Sequence, residues 1–328
     1  PEALALISDS DGDALTYAQI DRRANALAHR LIKVGCGPER ICAINLPRGM
    51  DFIIAMLAVL KCGGAFLPLD MALPETERSI RAAEAGADAV IGHEGLAGLA
   101  VAVLAPDAAL RDDPPARPAP DGGRLAYLIH TSGSTGRPKG VMGTTGALSA
   151  HASAVIAAYS LHAEDRVLHF ASPGFDVALE EIFPTLLSGA VLVVRAEDQA
   201  ESINAFLTLL QARKLTVLNL PASFWHVLVT EMAHRNLRLP ETVRLVVTGS
   251  ERILPAALAQ WQQLAPGCRW INGYGPTETT ITATIHAPDL TGPPLDPVAD
   301  VPIGRPLAHA SAHVLAFDGS LAPLGAEG

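Results

Sequence analysis

Three stretches of this chain carry residues whose types and spacing could do chemistry. The first is residues 125–140, Leu-Ala-Tyr-Leu-Ile-His-Thr-Ser-Gly-Ser-Thr-Gly-Arg-Pro-Lys-Gly. Its apolar start, Leu125 to Ile129, is short enough for a buried strand. It then breaks into Thr131, Ser132, Gly133, Ser134, Thr135 and Gly136, and closes on Arg137, Pro138, Lys139 and Gly140. Such a loop suits phosphate. Glycines let backbone N–H groups approach an anion, hydroxyls add donors, and Lys139 adds a mobile positive charge. It is not a Walker loop, which needs Gly-Lys-Ser/Thr opening a helix; here Pro138 precedes the lysine and Gly140 follows it. The plain alternative is a Ser/Gly-rich surface turn, but that leaves the buried strand and the Pro-Lys-Gly ending without a reason.

The second stretch is Asn272-Gly273-Tyr274-Gly275-Pro276-Thr277-Glu278. A strand end followed by two glycines and a proline is a fixed turn, and it delivers Thr277 and Glu278 to a defined point. The carboxyl end of a strand is where open α/β sheets bind ligands. An ordinary strand–turn–helix corner explains the glycines but not the Thr-Glu pair. The third is Asp176, after Gly174-Phe175, at the start of a predicted helix. From the residues alone it reads as an N-cap, a position aspartate favours.

The elements that must position these stretches alternate. Residues 1–20 read as a hairpin, 18–34 as an amphipathic helix stopped by Gly35, 41–46 as a strand, 51–61 as a helix and 66–69 as a strand. Beyond the loop, 147–159 is helical, 166–170 a strand, and a helix runs from Phe175-Asp176 to Ser188. Strands follow at 190–194, 216–220, 245–248 and 270–272, with helices around 199–213, 221–233 and 255–264. The expected class is α/β, with two helix-flanked, mostly parallel sheets. The Pro/Asp-rich linker 105–123 divides a first subdomain, 1–123, from a second, 124–286, which holds the phosphate loop. Residues 287–328, with a strand candidate at 312–317, read as the start of a small, barrel-like β piece.

Composition excludes some classes. The chain has 328 residues, 49% of them hydrophobic, and a formal net charge of −10. That balance argues against nucleic-acid or anionic-membrane partners, which need clustered basic residues. The longest apolar run, Phe52 to Leu60, is too short to cross a bilayer. No secretory leader is read ahead of Pro1. The four cysteines form no C-x-x-C pair and read as buried thiols of a cytoplasmic protein. The eleven histidines lack metal-ligand spacing.

The 125–140 loop resembles the signature loop of the adenylate-forming superfamily, and most closely that of the amino-acid adenylation domains of non-ribosomal peptide synthetases. Leu15-Thr16-Tyr17-Ala18-Gln19-Ile20 is similar to the family's first core motif. Leu60-Lys61-Cys62-Gly63-Gly64-Ala65-Phe66-Leu67-Pro68-Leu69-Asp70 is similar to its second, and both are read as structural. The resemblance implies ATP and Mg²⁺ as cofactors. Thr131 to Gly136 and Lys139 would hold phosphates. Gly249, Ser250 and Glu251 would form one wall of the adenine slot, and Asn272, Gly273, Tyr274 and Gly275 the other. Tyr274 would stack on adenine, Asn272 would hydrogen-bond it, Thr277 would contact the α-phosphate and Glu278 would bind the metal. Phe175-Asp176 matches the Phe-Asp-x-Ser motif whose aspartate holds the substrate's α-ammonium, although Ala178 stands where the family has serine. His130 reads as a packed side chain rather than a base.

The same resemblance implies a substrate pocket lined by Asp176, Val177, Glu180, Asn219, Val246, Thr248, Gly273, Ile281 and Thr282. Such polar groups reject large apolar side chains. An unpaired, ionised Glu180 would favour a cationic side chain, a neutralised one a small polar or acidic side chain, and a solvated helix residue is the bland alternative. The family's carboxylate-contacting lysine and ribose-binding aspartate are expected downstream of Gly325-Ala326-Glu327-Gly328, so the fragment is expected to form adenylate very slowly. The implied partners are a carrier protein with a phosphopantetheine arm and an MbtH-like protein docking near Ala322, within Ser320–Leu324. The alternatives are an acyl- or aryl-CoA ligase, which has no α-ammonium to meet Asp176, and a non-catalytic ATP-binding module.

Overall fold

The computed structural model describes residues 1–10, 12–106, 109–116, 118–131, 138–196, 202–323 and 325. The chain opens with β1 (Leu4–Ser8) and β2 (Ala14–Thr16), then α1 (Tyr17–Lys33), β3 (Ile41–Ile44), α2 (Met50–Cys62) and β4 (Ala65–Pro68). It continues through α3 (Glu75–Glu84), β5 (Ala89–Ile91) and β6 (Ala102–Leu104) to β7 (Leu125–Thr131), β8 (Lys139–Thr144) and α4 (Thr145–Tyr159). Next come β9 (Arg166–His169), α5 (Val177–Leu187), β10 (Val191–Val194), α6 (Ile203–Arg213), β11 (Val217–Pro221) and α7 (Ala222–Arg235). The last are β12 (Leu245–Gly249), α8 (Pro255–Leu264), β13 (Arg269–Tyr274), β14 (Thr284–His286) and β15 (Arg305–Pro306).

Local chemistry sets several of these boundaries. Thr16 and Gln19 form a reciprocal capping box that starts α1. Gly63, in the left-handed region, ends α2. The Thr144 hydroxyl accepts from the Ala147 amide and starts α4.

The strands form two mostly parallel sheets. One has nine strands in the order β15-β14-β13-β12-β11-β9-β10-β1-β2; the other has six, β6-β5-β3-β4-β7-β8. Its strands β4 and β5 read as continuous apolar runs, as strands covered on both faces must. The largest core cluster joins side chains of both sheets to α1, α2, α4 and α5, so these helices fill the space between the sheets. A second cluster packs α6, α7 and α8 on the far face of the larger sheet, around Trp225, Trp261 and Trp270. A third includes Ala82 of α3 with Ala43, Leu67 and Val90 of the smaller sheet.

The sheets do not divide at the expected 123–124 boundary. β1 and β2 belong to the larger sheet, because β1 pairs parallel with β10. β7 and β8 belong to the smaller, because Tyr127 of β7 registers with Phe66 of β4. β8 has no counterpart in the sequence reading. Its alternation is interrupted by Gly140 and Gly143, and the added strand makes the phosphate loop the connection of an antiparallel pair with Thr131 opposite Lys139. Residues 284–306 extend the larger sheet as an antiparallel edge, and Leu315 bridges Leu321 beyond it. Among the described residues no helix is long and apolar enough to cross a membrane.

Candidate functional site

Three cavities meet at the carboxyl ends of β9, β11, β12 and β13. The largest, about 490 Å³, is lined by Asp70, Arg81, His130, Thr131, Pro138, Phe175, Asp176 and Thr277, among others. Both described flanks of the phosphate loop, Thr131 and Pro138, therefore face the same space as Asp176 and Thr277. Ser132, Gly133, Ser134, Thr135 and Gly136 lie outside the described residues. Lys139 begins β8 and is exposed.

A narrow pocket of about 60 Å³ adjoins it through Asp176. Asp176, Val177, Glu180, Asn219, Thr248, Gly273, Ile281 and Thr282 line it, together with Val247, Gly249, Ser250 and Gly275. Val246 is the exception among the expected lining residues. Side chains alternate along β12, and Val246 points into the outer cluster with Trp225 and Trp270, while Val247 belongs to the central one.

The third cavity, about 480 Å³, shares Ser250, Gly273 and Gly275 with the narrow pocket and adds Glu251, Asn272, Tyr274 and Pro276. Tyr274 is 49% exposed and lines this cavity. Asn272 is buried and one of its amide N–H groups donates to the Pro302 carbonyl at 2.9 Å. That bond ties the edge segment near β15 to the cavity wall.

The backbone here is unusual. Ser250, Thr280 and Ile281 all have φ near +70°, at 71°, 67° and 67°. For a β-branched residue such as Ile281 this is a genuine outlier, of the kind that gathers at binding sites. A Cβ at Gly275 would sit 2.0 Å from the Ile281 carbonyl, so only glycine lets these two segments close on each other. The turn then places Thr277, half-buried, on the large cavity, with Glu278 exposed beside it in a 3-10 turn.

Asp176 occupies the N-cap position of α5 but makes no capping bond with its side chain. The carboxylate is instead buried and turned to both cavities. Burial raises its pKa, the Thr277 hydroxyl opposes that rise, and the charge of Glu180 adds to it. The turn that carries it is braced from below. Glu181 accepts from the Phe170 and Ala171 amides, at 3.0 Å and 3.1 Å, and the Ser172 hydroxyl donates to Asp70 at 2.7 Å. Asp70 thus holds the turn, a role its motif alone did not reveal.

Glu180 lies one helical turn further along α5 and is fully buried. Tyr159 donates to its Oε1 at 2.7 Å and Asn219 at 3.0 Å, while His151 Nε2 lies 3.1 Å from Oε2. Burial would raise this carboxyl, but His151, Thr282 and Tyr159 together hold it below its ordinary value. The His309 ring packs edge-on against His151 at 5.0 Å. His151 and Tyr159, eight residues apart on α4, escaped the sequence reading. The available signal was a histidine and a tyrosine among the buried positions of an alanine-rich helix. His130 lines the large cavity, and burial, with the Arg81 charge, lowers its pKa.

Known proteins share this architecture. The chain is 39% identical over 329 residues to the isonitrile lipopeptide synthase of Streptomyces coeruleorubidus, covering 97% of this chain and 22% of that protein. Its fold matches the N-terminal subdomain of Klebsiella oxytoca NpsA in complex with 3-hydroxybenzoyl-AMSN, with a TM-score of 0.86 and 25% identity, over 99% of this chain and 82% of the other. The AMPPNP-bound form of the non-ribosomal peptide synthetase FmoA3 matches with a TM-score of 0.86 and 26% identity, over 98% of this chain and 34% of the other. The family model described as AMP-binding enzyme matches residues 1–328. With the phosphate-loop flanks, the Thr-Glu turn and the glycine-lined slot in one cleft, the chain belongs to the AMP-binding, adenylate-forming enzymes, among the relatives of the peptide-synthetase adenylation domains.

Proposed function

We propose that this chain is the core of an amino-acid adenylation domain, joining a polar or cationic amino acid to AMP for transfer to a carrier-protein thiol. A carboxylate oxygen of the amino acid forms a bond to the α-phosphorus of ATP. The bond from that phosphorus to the bridging oxygen breaks, and pyrophosphate leaves with the electron pair. Two anions must meet, so the site acts by positioning and charge neutralisation rather than through a protein nucleophile.

The observation that carries this reading is Asp176. It is a buried carboxylate at a helix start, free of any capping bond, open on one side to the loop flanks and Thr277 and on the other to the narrow pocket. A desolvated carboxylate so placed is a partner for an ammonium. The Tyr274 face, Gly249, Ser250 and Glu251 suit adenine, and Thr131, Lys139 and the loop between them suit the phosphates. Mg²⁺ is usually held by one or two carboxylates together with substrate phosphates, which fits Glu278 beside Thr277. When bound, the ion would neutralise phosphate charge.

An aryl-acid ligase is the second reading, favoured by the aryl adenylate analogue in the NpsA complex. Asp176 weighs against it, since aryl acids carry no α-ammonium. A similar solved structure, the artificially fused adenylation–PCP di-domain NpsA-ThdA, supports a carrier-protein partner. The Leu315–Leu321 bridge, which leaves both leucines exposed beside Ala322, offers a place for an MbtH-like protein. Pyrophosphate exchange by the full-length protein tests the reading. Exchange should depend on an amino acid, and exchange driven by aryl or fatty acids alone would overturn it.

A further inference from the structure

The Thr-Glu turn ends on two residues whose backbone lies outside its preferred region. Thr280 closes the 3-10 turn Thr277–Thr279 and, like Ile281 after it, has a φ of 67°. For β-branched residues this conformation costs free energy and persists only where the surroundings hold it. Bonds within the turn supply part of that hold. The Thr279 hydroxyl donates to the Pro276 carbonyl at 2.8 Å, and the Thr280 amide donates to the Thr277 carbonyl at 3.2 Å. They shape the turn, but they do not fix it against Thr131 and Lys139, which flank the phosphate loop in the other sheet.

Tyr127 spans that divide. It sits in β7, the strand that ends at Thr131, and is 1% exposed although it carries a hydroxyl. On one side its ring stacks on Phe66 of β4, with centroids 6.0 Å apart. On the other the ring lies across Gly143, its partner on β8, where a Cβ would come within 2.1 Å of it. The missing side chain at Gly143 lets the ring cross β8, the strand that contacts the Thr-Glu turn. The phenol oxygen then shares a hydrogen bond with the Thr280 hydroxyl. Burial, with the charge of nearby Asp176, pushes the phenol pKa up to about 12, so the group stays neutral and exchanges no proton in the reaction.

We propose that Tyr127 is a positioning residue for adenylation: through Thr280 it sets the turn of Thr277 and Glu278 against the phosphate-loop strand. This rests on the reading that the turn and the loop hold one triphosphate. A residue in the strand that leads into the loop, bonded at the far end of the turn, makes one link between two groups that must meet the same ligand. Such a link acts by orientation, and small displacements of positioned groups are costly to reaction. Removing the phenol oxygen leaves the ring, its stack on Phe66 and its seat over Gly143 in place. The turn then loses one of its holds, and Thr277 and Glu278 drift from the phosphates. The adenine slot, whose walls continue β12 and β13, changes little.

Calorimetry on the full-length protein tests this with two probes, AMPPNP with Mg²⁺, which needs the turn, and adenosine, which needs only the slot. Tyr127→Phe should bind AMPPNP roughly 3- to 10-fold more weakly, the worth of one hydrogen bond, and adenosine as before. Thr280→Val removes the other hydroxyl at nearly the same shape and should do the same. The double variant should be no worse than either alone, because both remove one shared bond. Thr280→Ser, which keeps the hydroxyl, should bind AMPPNP like the unaltered protein. Unchanged AMPPNP binding in Y127F, equal losses for the two probes, or additive losses in the double variant would each overturn the proposal and leave the nucleotide site standing. Failure of the unaltered protein to bind AMPPNP would overturn the nucleotide site, and the proposal with it. If Y127F does not fold, T280V and T280S still decide: native AMPPNP binding by T280V overturns the proposal.

Discussion

His169 Nδ1 lies 2.7 Å from Oε2 of Glu181, and both side chains are completely buried. The same carboxylate accepts the backbone amides of Phe170 and Ala171. One buried group therefore ties the end of β9 to the middle layer and fixes the turn that carries Asp176.

Removing that carboxylate should be costly. Glu181→Ala leaves His169 and two amides without their acceptor, and loss of one partner of such a buried pair is expected to cost about 3–5 kcal/mol. Urea unfolding measures it. A loss close to zero would mean the turn is held from elsewhere.

Asp176 should trade stability for function. Its pKa is raised by burial, so the folded state keeps the proton to higher pH than the unfolded chain does. Stability therefore falls as pH rises from the ordinary carboxylate range through the raised value. Asp176→Asn should raise the melting temperature at neutral pH by roughly 1–3 °C. In exchange assays the same variant should lose roughly 30- to 3,000-fold in kcat/KM, as for truncation of one partner of a buried charge pair. The acid limb of kcat/KM should lie above the ordinary aspartate range.

The tight contact of the Thr-Glu turn should tolerate no side chain. In Gly275→Ala the added Cβ would meet the Ile281 carbonyl at 2.0 Å, so the backbone must move. Overpacking of this kind costs about 1–3 kcal/mol, and the displaced turn should weaken ATP binding in a nucleotide titration. Native-like ATP affinity in G275A would show that the turn does not shape the slot.

Metal dependence should localise to Glu278. Chelation by EDTA should abolish exchange, and Glu278→Gln should raise the Mg²⁺ concentration needed for half-maximal rate by roughly 10-fold or more. Glu251→Gln, on the opposite wall of the slot, should change that requirement little. Equal shifts in both variants would move the metal away from Glu278.

Much of this was written along the chain. Apolar strands alternating with amphipathic helices dictate a mostly parallel sheet, and Gly-Tyr-Gly-Pro-Thr-Glu dictates a turn, because these depend on residues close in sequence. The position of Asp176 at a helix start was likewise local. Whether its carboxylate capped the helix or faced a cavity was not. That was decided by Glu181 and Asp70, which hold the preceding turn through hydrogen bonds from Phe170, Ala171 and Ser172. The exchange of β1 and β7 between sheets, the turning of Val246 away from the pocket, and the gathering of His151, Tyr159, Asn219 and Glu180 beneath it were decided only in three dimensions. Each depends on which sheet face meets which helix, a choice made by packing between residues far apart in the chain.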